Sequence, residues 1–392
     1  VKTAKAALFP SLSFSTSQQV VNRPYQETSS RVSGSEIISS NSKTSYNGNY
    51  GLNASWTLYN GNKRLKTIQQ EKLNNQVAEL DVATSENSIQ ESIAQIYIQI
   101  LYAAESVRVN ENTLQVSIAQ RDRGQELLNA GSIAKSDFAQ LEAQVSTDRY
   151  QLVTAQATLQ DYKLQLKQLL ELDGENEMNV YLPKLSDENV LAPLPAKKDV
   201  YVSALAIRPE IEASKLNVEA SELGIDIAKS SYFPTISLSA GIGTNHTSGS
   251  DFTFGEQVKN GWNNSIGLSV SVPIFNNRQT KSAVQKAKLQ RETNMLSLLD
   301  EQKALYKTIE SLWLDANSAQ QRYAAANEKL RSTQISYDLI SEQFNLGMKN
   351  TVELLTEKNN LLQAQQEQLQ AKYMAILNTQ LLKFYQGDKL TL

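Results

Sequence analysis

The chain has 392 residues, with 38 Lys plus Arg against 41 Asp plus Glu, and the formal charge of −3 gives no reason to expect a nucleic-acid partner. It has no cysteine and a single histidine, His246, which removes thiol chemistry, disulfides, a Ser-His-Asp triad and any Cys- or His-built zinc site within one chain; no enzyme, cofactor or metal centre is expected. No apolar run approaches the ~18 residues of a transmembrane helix, but a transmembrane β-barrel stays open because its strands alternate.

In chain order, residues 1–9 read as the end of a truncated helix, and 10–61 as a first β-hairpin entered at Phe9-Pro10. Residues 62–172 form a very long helix and a shorter return helix, with the turn at 129–133. A connector at 173–208 is punctuated by Pro183, Pro193 and Pro195, and Pro209 opens a helix over 209–233, where proline suits the first turn. A second hairpin follows at 234–276, then a second long helix and return helix at 277–386, with the turn at 345–350, and a tail at 387–392.

The chain is a duplication. Phe9-Pro10-Ser11-Leu12-Ser13 returns as Phe233-Pro234-Thr235-Ile236-Ser237, and Tyr59-Asn60-Gly61 as Phe275-Asn276-Asn277, 216 positions later. The same offset pairs Leu80 with Leu296, Ile93 with Ile309, Leu114 with Leu330 and Gly131 with Gly347. A period this long is a repeated fold unit and not a short solenoid repeat.

The strands carry two unlike faces. Tyr46, Gly48, Tyr50, Leu52, Ala54, Trp56 and Leu58 alternate with Asn47, Asn49, Gly51, Asn53, Ser55 and Thr57; Ile266, Leu268, Val270 and Val272 alternate with Ser265, Gly267, Ser269 and Ser271. A half-buried sheet in a soluble sandwich would carry Lys and Glu on its wet face, and here the polar face is almost all Ser, Asn, Gly and Thr. Phe9, Tyr59, Phe233 and Phe275 sit at the helix-proximal strand ends, the placement of an interfacial aromatic girdle. Four strands cannot close a barrel, and lipid does not tolerate open edges, so the chain must associate. Two chains would give eight strands with a filled interior; three give twelve and a water-filled lumen, which suits small polar inward residues.

Residues 62–128 contain no proline and run roughly 100 Å at 1.5 Å per residue. Leu305, Ile309, Leu312, Ala316, Ala319, Tyr323, Ala326 and Leu330 space themselves by four and three, as do Ile89, Ile93, Ile96, Ile100, Ala103 and Val107. A soluble or surface-attached coiled-coil or adhesin rod would explain these helices alone, though not the uncharged strand faces. The expected fold is therefore α+β: a trimeric, 12-stranded transmembrane barrel, four strands per chain, continuous with a long α-helical barrel and a small mixed equatorial belt.

Taken together, the duplication, the Phe-Pro strand entries, the aromatic-Asn joints, Arg208-Pro209-Glu210-Ile211, and the turns Leu128-Asn129-Ala130-Gly131 with Asp137 and Phe344-Asn345-Leu346-Gly347 with Glu353 resemble the outer-membrane efflux proteins, the TolC-like trimeric channel-tunnels. The resemblance covers essentially the whole chain. It implies an exit duct in the outer membrane of a Gram-negative bacterium, reaching into the periplasm, gated at its periplasmic tip and serving a tripartite efflux or type I secretion system. Its implied partners are a periplasmic adaptor, an inner-membrane pump and outer-membrane lipid. It further implies adaptor contact at Ala130, Gly131, Ser132, Leu346, Gly347 and Met348, and a gate of Asp137, Glu353, Lys349 and Phe344. The family's second acidic position is Thr356 here, with Glu357 beside it on another face. The residues allow simpler roles: the glycines end helices, and Asp137 and Glu353 complement helix dipoles. Arg208 reads as a helix-start residue and His246 as a solvated loop residue.

Overall fold

The computed structural model describes residues 1–25, 29–33, 36–40, 43–172, 178–183, 190–250 and 252–390. Parts of the expected first hairpin (26–28, 34–35, 41–42), of the connector (173–177, 184–189), of the second hairpin (251) and of the tail (391–392) lie outside the described residues. The chain divides into two compact units, Val1–Glu79 with Ala213–Leu298, and Leu80–Glu212 with Leu299–Leu392.

The first unit is built on a four-stranded antiparallel sheet in the order β1-β4-β5-β6, comprising β1 (Ser11–Asn22), β4 (Thr44–Asn60), β5 (Thr235–Thr247) and β6 (Asn263–Ser271). The register settles the two faces. One set of cross-strand rows reads Leu12, Ala54, Ala240, Ile266, then Phe14, Leu52, Ile242 with Asn264 at its β6 end, then Trp56, Leu238, Leu268. The other reads Ser13, Asn53, Gly241, Ser265, then Ser11, Ser55, Ser239, Gly267, then Thr57, Ser237, Ser269. No charged residue enters these rows. On the polar face Ser11 and Ser55 share a 2.8 Å hydroxyl bond, and Asn53 Nδ2 donates to Ser15 Oγ at 3.3 Å. On the apolar face Ile266 is 78% exposed and Leu12 70%, so among the described residues the middle of that face is left open. A bulge between Thr57 and Tyr59 pairs Tyr59 with Ile236 and keeps its ring on the apolar face.

Two further elements lie between the strands of the expected hairpins. A small hairpin, β2 (Ser29–Ser33) with β3 (Glu36–Ser40), lies between β1 and β4, and a short helix, α6 (Phe254–Asn260), lies between β5 and β6. His246, expected in a loop, is a strand residue opposite Gly48, because the β4–β5 ladder runs on to Asn47 and Thr247. The unit also holds α1 (Lys2–Ala6), most of α5 (Pro209–Lys229) and the sheet-proximal ends of α2 (Lys63–Asn129) and α7 (Gln279–Asn345). Lys66 pairs with Asp226 at 2.6 Å and Arg291 with Glu222 at 2.8 Å, tying α5 to each long helix.

The second unit packs the remainders of α2 and α7 with α3 (Lys135–Leu169), α4 (Lys197–Ile207) and α8 (Thr351–Gln386). The return helix α3 is shorter than its expected span, starting after the turn at Lys135 and ending at Leu169. Its core includes Val200, Ala204, Ile211, Leu305, Ile309, Ala316, Leu382 and Tyr385, and a second cluster sets Ile98 and Leu101 against Leu369, Tyr373, Leu377 and Leu381. On α7 the four-and-three spacing matches the buried positions Leu305, Ile309, Ala316, Ala319, Tyr323 and Ala326. On α2 the match is looser: Ile100 and Ala103 are buried, but Ile89 is 47% exposed and Ile98 and Leu101 carry the contact instead. Among the described residues, no helix is long and apolar enough to cross a membrane.

Candidate functional site: the helix tips, the joints and a buried ion pair

Both helix tips close in the same way. At the first, Gly131 N–H donates to Leu128 O at 2.9 Å and Ser132 N–H to Leu127 O at 2.8 Å. At the second, Gly347 N–H donates to Phe344 O at 2.9 Å and Met348 N–H to Gln343 O at 2.8 Å. This is the Schellman pattern, with the glycine left-handed at φ +72° and +74°. Apart from the adjoining residues of the chain, nothing among the described residues lies within 4 Å of where a Cβ would stand on either glycine, so backbone conformation and not space calls for glycine. The expected contact residues Ala130, Gly131, Ser132, Leu346, Gly347 and Met348 are all exposed. The tips differ in chemistry. The first is small and polar, whereas the second presents Leu346 and Met348 at 68% and 71% exposure.

Each acidic candidate closes the N-terminus of its return helix. Asp137 Oδ2 accepts from Ala134 N–H at 3.3 Å. Glu353 is held more tightly: Asn350 Oδ1 accepts from Glu353 N–H at 2.9 Å, and Asn350 N–H donates back to Glu353 Oε2 at 3.1 Å, a reciprocal capping box. Lys349 Nζ donates to the other oxygen, Glu353 Oε1, at 2.5 Å. The Lys349 ammonium, then the Asn350 amide, hold the Glu353 carboxyl below its ordinary range. Within one chain Lys349 and Glu353 are therefore partners of each other. Phe344 is 3% exposed and is packed inside the second unit.

The girdle candidates lie in the first unit. Phe9, Phe233 and Phe275 are exposed and Tyr59 is half-buried. Beside them Trp56 Nε1 donates to Leu8 O at 2.7 Å. The strand-to-helix joints explain the Gly61 and Asn277 correspondence. Both are left-handed, at φ +66° and +51°, and each is followed by a further left-handed residue, Asn62 and Arg278. Gly61 also has no room for a side chain, since a Cβ would stand 2.7 Å from Ser230 O. Asn277 meets the same backbone demand with the side chain that best tolerates it.

Two sites of buried charge are not legible in the sequence alone. Arg208 is not a simple helix-start residue: its side chain is 5% exposed, pairs with Glu91 at 2.8 Å, and stacks over Tyr385 at 3.6 Å from the ring centre. Burial pushes the Tyr385 phenol up to about 12. The second is Lys358, which donates to Asp148 Oδ2 and to Ser117 Oγ; the pair's side chains are 3% and 1% exposed. Ser117 also donates to Asp148 Oδ2, and Gln144 Nε2 donates to Oδ1 at 2.9 Å. The cluster joins α2, α3 and α8. The 216 offset would place Thr333, Ala364 and Glu142 at the equivalent positions, so the duplication does not repeat it. Among the described residues, no cluster of His, Asp or Glu could hold a metal ion.

A family model described as outer membrane efflux protein matches residues 1–171 and 200–387. The chain belongs to the outer membrane efflux protein family. Within that efflux family it is 25% identical over 294 residues to the outer membrane efflux protein BepC of Brucella suis biovar 1 (strain 1330), covering 74% of this chain and 61% of BepC. It is 24% identical over 315 residues to the outer membrane protein TolC of Escherichia coli (strain K12), covering 77% of this chain and 62% of TolC. The chain thus spans about three fifths of the length of these two relatives. The crystal structure of CusC, solved in a study of its folding and transmembrane channel formation, superposes with a TM-score of 0.80 at 19% identity, covering 99% of this chain and 85% of that one. The fold of this efflux-family chain is that of outer-membrane channels.

Proposed function

We propose that the chain is one protomer of a homotrimeric exit duct in the outer membrane, passive in itself, which an inner-membrane pump and a periplasmic adaptor load and couple. The observation that carries this reading is the sheet: four strands whose outer edges, on β1 and β6, are unpaired among the described residues, an uncharged polar face, and a largely exposed apolar face. Such a sheet is stable in lipid only when its edges meet the edges of other copies. Three copies give a barrel wide enough for a polar lumen. Family membership supports the same reading over a coiled-coil rod or adhesin, which would have no use for these strand faces.

In this reading the tip residues Ala130, Gly131, Ser132, Leu346, Gly347 and Met348 meet the adaptor. The apolar pair Leu346 and Met348 makes the second tip the stickier contact. Asp137 and Glu353, repeated three times around the axis, place carboxylates at the tip end of the lumen, with Lys349 as their local counter-charge; Phe344 supports the second tip from inside. The catalytic role is none, and substrate choice lies with the pump.

Planar-bilayer recording tests this function. The purified protein should form discrete ion-conducting pores that multivalent cations block, and Glu353→Gln should weaken that block. Folded, membrane-inserted protein with no conductance would overturn the duct.

A further inference from the structure

The apolar face of the sheet ends, at the end away from the α2 joint, in a small built platform. The register sets Gln18, Gly48 and His246 in one row, flanked by Tyr46 and Tyr50. The His246 ring lies directly over Gly48, where a Cβ would come within 2.3 Å of its Cε1. The ring sits 5.3 Å from Tyr46, stacks on Tyr50 at 5.9 Å, and meets Phe254 edge-on at 5.0 Å. Phe254 opens α6. That helix is fastened to the sheet by Thr244 Oγ1 donating to Val258 O at 2.7 Å and by Thr247 N–H donating to Gln257 Oε1 at 2.8 Å. Its start is capped by Thr253 and Glu256.

The side on which α6 lies follows from parity. Thr244 pairs with Tyr50, and His246 with Gly48, so both side chains leave the sheet on the Leu52–Trp56 face. The helix therefore rests on the apolar face and not over the polar one. It brings Phe252, Phe254 and Trp262 to that end at 44%, 58% and 57% exposure. Aromatic rings held open in this way favour the boundary between headgroups and acyl chains. The spacing agrees. Ile236, beside the helix-proximal aromatics, and His246 are ten residues apart on β5, about 33 Å along a strand. At the ~40° tilt of outer-membrane strands this is a height of about 25 Å, that of their apolar band.

We infer that α6 is an interfacial foot, lying in the headgroup boundary of the outer leaflet with Phe252, Phe254 and Trp262 as anchors and the Tyr46–Tyr50–His246 platform as its support. It rests on the reading of the apolar face as lipid-facing. It supplies the distal aromatic ring that complements Phe9, Tyr59, Phe233 and Phe275, and fixes how deep the barrel sits.

Depth-dependent fluorescence quenching tests it on the assembled protein in vesicles of phosphatidylcholine brominated at shallow or deep acyl positions. The difference between Trp56→Phe and Trp56→Phe/Trp262→Phe isolates Trp262, and retained conductance verifies folding. Ile266→Trp in the latter background is the mid-sheet control. Trp262 should be quenched several-fold more by shallow than by deep bromines and little by aqueous iodide, while Ile266→Trp responds most to deep bromines. A quenched control with Trp262 open to iodide and blind to both lipids would overturn the foot and leave the lipid-facing sheet standing. A control that no bromolipid quenches would overturn the lipid-facing sheet, and the foot with it.

Discussion

The Asp148–Lys358 pair offers a quantitative test of how the second unit is held. Both side chains are almost fully enclosed, at 1% and 3% exposure, so neither charge has water to fall back on. Asp148 spreads its acceptors over Lys358, Ser117 and Gln144. Asp148→Leu would leave the Lys358 ammonium with only the Ser117 hydroxyl among these partners. Lys358→Met would leave a carboxylate with two neutral donors. Breaking a buried pair from one side costs about 3–5 kcal/mol, whereas replacing both members with apolar groups of similar volume is close to neutral or stabilising. Each single variant should therefore lose about 3–5 kcal/mol, and Asp148→Leu/Lys358→Met should return to within about 1 kcal/mol of the parent or exceed it. Denaturant unfolding of the detergent-solubilised protein, followed by helical circular dichroism, reads the global cost. Hydrogen exchange along α2, α3 and α8 reads the local one. A double variant as damaged as the sum of the singles would refute the reasoning, because the site would then depend on packing and not on charge compensation.

Four further outcomes are expected. Leu268→Arg should cost about 2–4 kcal/mol on the lipid face and Ser269→Arg much less, measured as loss of assembled protein in a urea series. Gly131→Ala and Gly347→Ala should each cost about 1–2 kcal/mol from the left-handed backbone alone, with Gly→Asn milder at both sites, read by exchange of the adjoining helix ends. Asn277→Val should cost a similar amount, about 1–2 kcal/mol, and Asn277→Gly should cost little or stabilise. Because Lys349 and the Asn350 amide lower the Glu353 pKa, this contact helps the folded state above the ordinary glutamate value and is lost as pH falls through the lowered one. Lys349→Met should move that loss to higher pH in exchange rates of the first turn of α8.

Strand alternation, the duplication and the long proline-free helices were legible because each is a local pattern repeated over many residues. The Schellman tips were legible for the same reason, since Gly131 and Gly347 punctuate otherwise unbroken helices. What stayed hidden depended on partners distant in the chain. Asp148 and Lys358 are 210 positions apart, and a lysine on a helix reads as a solvated side chain until α2 and α3 close over it. Arg208 shows the same limit, because its burial comes from Glu91 and Tyr385 on other helices. In the loop between β5 and β6, the capping box Thr253–Glu256 was a readable helix start. Its brevity and the glycine and asparagine around it made it look like loop. The bulge at Thr57 and Tyr59 is invisible to a strict period of two, which is why Tyr59 first reads as the wrong parity for the face it joins.

A membrane barrel requires closure of the sheet by other copies. Native mass measurement in mild detergent decides it: the predicted particle has three times the 43.6 kDa chain mass plus bound detergent and lipid, with no smaller stable species. A detergent-stable monomer that keeps its four strands, with β1 and β6 unpaired, would contradict the barrel.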